Sequence, residues 1–202
     1  MKVAVLGASG RAGSEITQEL ARRGHQVTAI ARNPEAIPAG TGITPVAGDA
    51  SDTDALAERI KGVDAVISAL HFDIPMETLL TALRKAGIGR LLVTGGAASL
   101  EIAPGKRVFD TPDFPAEWKG MAQQGIDALE TLRGVTDIDW TFFSPAALIE
   151  EGPRTGQFRL GTDTLVTDDK GDSKISFADY AIAMVDELEQ HNHSRARFTA
   201  AY

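Results

Sequence analysis

Cysteine is absent from the 202 residues, which excludes disulfides, thiolate nucleophiles and cysteine-ligated metals. No apolar run approaches the ~20 residues of a membrane span, and the N-terminus enters a strand without a signal-peptide pattern. A cytoplasmic protein with no membrane partner is therefore expected. Basic residues are in deficit, 20 against 28 acidic ones for a net charge of -8, so a direct nucleic-acid partner is not expected. Histidine is scarce too. His191 and His193 stand two apart past a helix end with no carboxylate set in view, so no metal site is expected. No internal repeat or linker divides the chain, and its length suits one domain over residues 1–202. At 43% hydrophobic and 24% charged, the composition is that of an ordinary globular fold.

What is present is concentrated at the start. Val3 to Leu6 form an unbroken apolar run, as in a strand buried on both faces of a parallel sheet. Gly7, Gly10 and Gly13 follow at intervals of three, and Arg11 to Arg23 then reads as an amphipathic helix with Gly24 as its stop. Strand, glycine turn and helix start together predict a pyrophosphate site. Gly7 permits the tight turn, Gly10 admits the phosphates, and Gly13 lets helix press on strand. Ser9, Arg11 and Ala12 share that loop, and the first free N–H groups of the helix face the anion. The spacing is GxxGxxG, one position away from the dinucleotide fingerprint GxGxxG.

Apolar strands then alternate with helices. Val27 to Ala31 ends at Arg32-Asn33, where an NAD site would usually place Asp or Glu. Arg32, with Arg11, suits a 2′-phosphate and predicts NADP(H) over NAD(H). Thr44 to Ala47 ends at Gly48-Asp49-Ala50, with Asp49 either an adenine contact or a turn residue. Ser51 or Asp52 caps a helix through Ile60. Val63 to Ala69 runs into Ser68-Ala69-Leu70-His71, and Met76, Leu79, Leu80 and Leu83 make a helical core stripe. Arg90 to Thr94 leads to Gly95-Gly96, and Asp139 to Phe143 leads to Ser144-Pro145. A doubly wound parallel sheet follows, with these strand ends gathered at one edge. Between them, residues 97–118 show little periodicity, broken by Pro104, Pro112 and Pro115. This stretch is expected to form a wall or lid, with Trp118 either the anchor of the acceptor or a residue packing the following helix on the core, and Phe109 and Phe114 near it. Lys119 to Arg133 reads as a helix with Met121, Gly125, Ala128, Leu129 and Leu132 inward. Residues 151–174 predict turns and short strands at Gln157 to Leu160 and Leu165 to Thr167. Ser176 and Asp179 resemble a capping box opening a last helix, and Arg197 to Ala201 closes the sheet.

GASGRAG, ARNP, GDASD, TGGAAS and DWTFFSPA resemble the atypical short-chain dehydrogenase/reductases. The chain is most similar to their bacterial NADH-flavin reductase group, related to biliverdin reductase B and NmrA-like proteins. TPDFPAEWK, RTGQFRLG, SKISFADYAIAMVDELE and RFTAAY extend the resemblance over essentially the whole chain. It implies a Rossmann fold with a small C-terminal elaboration on the substrate side; either a monomer or a homodimer is compatible with the sequence. It also implies an NAD(P)H-dependent reductase acting on a flavin-like or quinone-like acceptor. The Tyr-x-x-x-Lys pair of the wider superfamily is missing, since neither Tyr180 nor Tyr202 precedes a lysine by four. Hydride transfer to a ring held by stacking suits what remains, with Thr94 or Ser99 as a weak proton donor. The same departure leaves a non-catalytic NADP(H)-sensing regulator of NmrA-like type as the alternative.

Overall fold

Lys2–Leu6 forms β1, which pairs in parallel with β2 (Gln26–Ala31) on one side and β4 (Ala65–Ser68) on the other. The computed structural model describes all 202 residues. Beyond β2 lies β3 (Ile43–Ala47), and beyond β4 come β5 (Arg90–Thr94), β8 (Asp139–Ser144) and β12 (Ala196–Ala201). All these pairs are parallel; only β10 (Arg159–Gly161) is antiparallel, closing the sheet against β12. The strand order 10-12-8-5-4-1-2-3 reverses direction at the boundary between β1 and β4. Ligand crevices of open α/β sheets form at the carboxyl ends of the strands flanking such a reversal.

The helices cover both faces because the buried strands are apolar on both. Val3 and Val5 of β1 point into one core, shared with Ile16 and Leu20 of α1 (Arg11–Arg22) and Met184 and Leu188 of α5 (Phe177–Gln190). Ala4 and Leu6 point into the other core. There they meet Leu56 of α2 (Thr53–Arg59), Leu80 of α3 (Met76–Ala86) and Leu129 of α4 (Lys119–Arg133). Helices α1 and α5 are also joined by charge. Arg23 donates to Glu19 at 2.8 Å, to Asp186 at 2.7 Å and to Glu189 at 2.8 Å.

Several sequence expectations are corrected here. Residues 97–118, read as a wall or lid, contain two short strands that their sequence does not signal, β6 (Glu101–Ala103) and β7 (Lys106–Arg107), together with short 3-10 turns. Leu165 to Thr167 is not a strand; the segment is tied in by a bridge between Glu101 and Thr164, by Leu165 N donating to Glu101 O at 2.8 Å and by Arg159 Nη2 donating to Thr167 O at 2.7 Å. Instead β9 (Leu148–Glu150) pairs in parallel with β11 (Lys174–Ser176), two strands of three residues each. The capping box at α5 is half made. Ser176 Oγ accepts from Asp179 N at 3.0 Å, but Asp179 turns away to accept from Thr155 N, Gly156 N and the Tyr202 hydroxyl at 2.7, 2.8 and 2.9 Å. Finally, His191 and His193 do have carboxylate partners: folding brings Asp139 to His191, and Glu187 Oε2 to His193 Nδ1 at 2.7 Å.

Candidate functional site

The glycine turn after β1 has a steric logic. Gly7 adopts φ +76, and a Cβ there would sit 2.6 Å from Ala69 O, so only glycine allows β1 and β4 to end this close together. Gly13 is tighter still: its Cβ would lie 2.1 Å from Gly7 O and 2.8 Å from Gly7 C. The first turn of α1 is thereby pressed onto the strand end. Gly10 is the N-cap with no side-chain cap, and no acidic residue occupies the first turn. Arg11 instead places a cation at the positive end of the helix dipole, which favours a bound anion rather than an empty terminus. Its guanidinium lies 5.2 Å from the centre of the Phe177 ring.

From this turn a cavity of about 580 Å3 opens along the carboxyl ends of β4, β5 and β8. Of the residues expected at the cofactor, Gly10, Arg11, Ala12, Ala69, Leu70, Thr94, Gly95, Gly96 and Pro145 line it, together with Ser99 and Trp118. The others do not. Gly7 forms the turn behind it, and Ser9 is exposed on the loop. Arg32, Asn33 and Asp49 stand exposed after β2 and β3, while Ala50, Ser68 and Ser144 are buried. Ser144 Oγ is buried with no hydrogen-bond partner.

Local contacts define the exposed end. Asp49 accepts from Ser51 N at 2.9 Å and from Ser51 Oγ at 2.8 Å. These bonds, with the nearby charge of Arg32, hold its carboxyl below the usual range. Asn33 accepts from Glu35 N at 3.2 Å, capping the turn that follows β2. Arg59, with no sequence signal beyond its charge, donates to Ala47 O at 2.9 Å and passes beside Gly48.

The other end of the cavity is largely apolar, with Thr111 and Asp113 as polar members of its lining. Phe72, Val108, Phe114, Pro115, Met121 and Ile126 line it with Trp118. Met121 is 50% exposed, not inward as its helical spacing suggests, and Trp118 at 55% does not pack on the core. Phe109 lies outside the lining, tilted on Phe114 at 5.4 Å between ring centres. Gly125, in mid-helix, leaves room for Phe72, whose ring a Cβ would approach to 3.0 Å. That glycine was the signal for a side chain crossing the helix at this point. His71 is exposed at the lining.

The cavity wall is fixed from below. Phe143 O accepts from both Gly95 N at 2.8 Å and the Tyr180 hydroxyl at 2.7 Å. Burial pushes the Tyr180 hydroxyl well above its ordinary pKa. Its proton is engaged by a carbonyl, so it serves as a strut. No group of three or more His, Asp or Glu side chains is arranged to hold a metal.

The sequence profile of an NAD(P)H-binding family matches residues 7–191, a span that contains the glycine turn and every wall of the cavity. The chain belongs to this NAD(P)H-binding family. Among its relatives, the uncharacterized protein YwnB of Bacillus subtilis is 43% identical over 98% of this chain and 97% of its own. A Bacteroides thetaiotaomicron protein described as a putative epimerase is 42% identical, with a TM-score of 0.94 over 100% of this chain and 96% of the other. A Streptococcus pneumoniae protein described as a putative NADH-flavin reductase is 38% identical, with a TM-score of 0.88 over 100% and 99%. The family resemblance read from the sequence and the Rossmann architecture agree with these findings. NAD(P)H binding is thus the family property that the glycine turn fits.

Proposed function

We propose that this protein is an NAD(P)H-dependent reductase that passes hydride to a flat conjugated acceptor, a flavin or a quinone. The observation that carries the reading is the position of the apolar mouth. Trp118, Met121 and Phe114 lie at the far end of the same cavity whose near end is the anion-binding turn at Gly10 to Ala12. A bound dinucleotide supplies the hydride. The chain supplies placement: α1 N–H groups and Arg11 for phosphates, the Thr94 to Gly96 turn as floor, and Trp118 as the stacking partner of the acceptor. Tyr180, committed to Phe143 O and buried, supplies no acid. That favours a ring acceptor, whose electrons are accommodated by conjugation, over an alcohol or isolated ketone. Arg32, exposed after β2 with no acidic residue replacing it, supports a preference for NADP(H).

Steady-state oxidation of NADPH and of NADH against a panel of flavins and quinones tests the reading. Turnover with at least one acceptor is expected, and Trp118→Ala is expected to reduce acceptor kcat/KM about tenfold while NADPH affinity is unchanged. A protein that binds NADPH tightly yet reduces none of them is a nucleotide sensor, and the reductase reading is then lost.

A further inference from the structure

Arg197 is an unusual residue to bury on a closing strand. Its side chain is 4% exposed, whereas a long cation normally keeps its charge in water. Two partners share it. Asp163 Oδ1 accepts from Nε at 3.0 Å, and Ser99 Oγ accepts from Nη1 at 2.9 Å. The backbone fixes the same corner: Glu101 N donates to Asp163 O and Leu165 N to Glu101 O, both at 2.8 Å. The guanidinium is therefore held from several sides and cannot swing away.

An arginine has donors only, so the Ser99 oxygen is the acceptor in this pair. No other protein group bonds that hydroxyl, leaving its own hydrogen free, and Ser99 lines the cavity alongside Thr94, Gly96 and Trp118. A hydroxyl whose oxygen accepts a charge-assisted bond is a stronger donor through its hydrogen. The reductase reading, on which this inference rests, places the acceptor's ring against the same wall. We propose that Arg197 is a positioning residue that polarises Ser99 and aims its hydroxyl at a carbonyl oxygen of the acceptor. In quinone reduction NAD(P)H gives up a hydride and becomes NAD(P)+. The quinone gains two electrons and one proton in that step, and water supplies the second proton. Negative charge collects on a carbonyl oxygen meanwhile, and the Ser99 O–H meets it with a hydrogen bond. Ser99 touches the reacting group; Arg197 acts only through it.

The test is a double-mutant cycle read by NADPH oxidation with menadione as the quinone. Ser99→Ala is expected to lower kcat about tenfold or more, in line with loss of a hydrogen bond to a charged oxygen. NADPH affinity, measured by direct titration, should stay at the wild-type value, and Ser99→Thr should keep most of the rate. Arg197→Met should fall by a similar factor as Ser99→Ala. In the Ser99→Ala background, Arg197→Met should cost nothing further, because its effect runs through the hydroxyl. If Arg197→Met does not fold, Arg197→Lys, which keeps one donor, carries the same comparison. Additive losses, or a Ser99→Ala variant at the wild-type rate, overturn the inference while the reductase reading stands. A wild-type protein that turns over no acceptor at all overturns both.

Discussion

Replacing Gly13 by alanine is the sharpest test of how the nucleotide turn is built. The added methyl would fall 2.1 Å from Gly7 O, 2.8 Å from Gly7 C and 3.1 Å from the Cα of Ala8. All three atoms are backbone, so no side chain can rotate away. Helix α1 must lift off the end of β1 by roughly an ångström. Overpacking of this kind costs about 1–3 kcal/mol or more, and backbone clashes belong at the upper end. Alanine in place of glycine returns about 1 kcal/mol in helix propensity. A net loss of about 2 kcal/mol follows, or roughly 4–8 °C in Tm at about 2–4 °C per kcal/mol for a chain of this size. The lift also carries the first-turn N–H groups off the anion, so NADPH should bind at least about tenfold more weakly. Gly120→Ala is the matched control, because nothing lies within 4 Å of a Cβ there. It should melt at or slightly above wild type and bind normally. Thermal melts and cofactor titration of the two variants suffice. A Gly13→Ala protein with wild-type melting and affinity would refute the close-packing argument.

The remaining predictions use the same two measurements or a pH series. Gly10→Val should spare the fold, since its Cβ meets only Gly7 O at 3.3 Å, yet abolish binding of both NADPH and NADH; normal titration would make the loop a mere turn. Arg32→Glu should erase or reverse an NADPH preference of roughly 10- to 150-fold without changing the melt, and equal wild-type affinities would dispose of the idea. Glu19 is buried, and burial alone would raise its pKa. Bonds from Arg154, Arg23 and Arg22 outweigh this and lower it to about 2 from an ordinary 4.5. Its contribution is complete above about pH 4.5 and lost as pH falls towards 2. The stability gap between wild type and Glu19→Gln in urea unfolding should therefore narrow by about 2 kcal/mol between pH 5 and 2. A pH-independent gap would mean the arginines do not hold the carboxylate.

The sequence was most legible where local rules act. Glycine at positions 7, 10 and 13 and apolar strands alternating with periodic helices locate β1 to β5, α1 to α4 and the ligand edge, because each signal is contained within about a dozen residues. It was least legible between residues 145 and 176. β9 and β11 are three residues each and pair across the whole segment, so neither carries a periodicity of its own. Leu165 to Thr167 looks strand-like by composition but has no partner strand to extend along. Met121 shows a different limit: helical spacing marks a residue facing away from bulk solvent on its own helix, and a cavity wall satisfies that pattern as well as a core does. His191 and His193 show a third. Their partners Asp139 and Glu187 are brought to them only by the packing of β8 and α5.

The cavity's two ends are made of different material. One end is main chain: N–H groups, a positive φ and glycines whose absent side chains are themselves the fit. The other end is side chain: Trp118, Met121, Phe114 and Phe72, carried on short turns and one helix face with the sheet beneath them untouched. At the first end binding and backbone packing are joined, as Gly13 illustrates, whereas the second can be resurfaced one residue at a time. Relatives that share this scaffold over nearly its full length are thus free to part company in what they accept, and the side chains around Trp118 are where such divergence would be written.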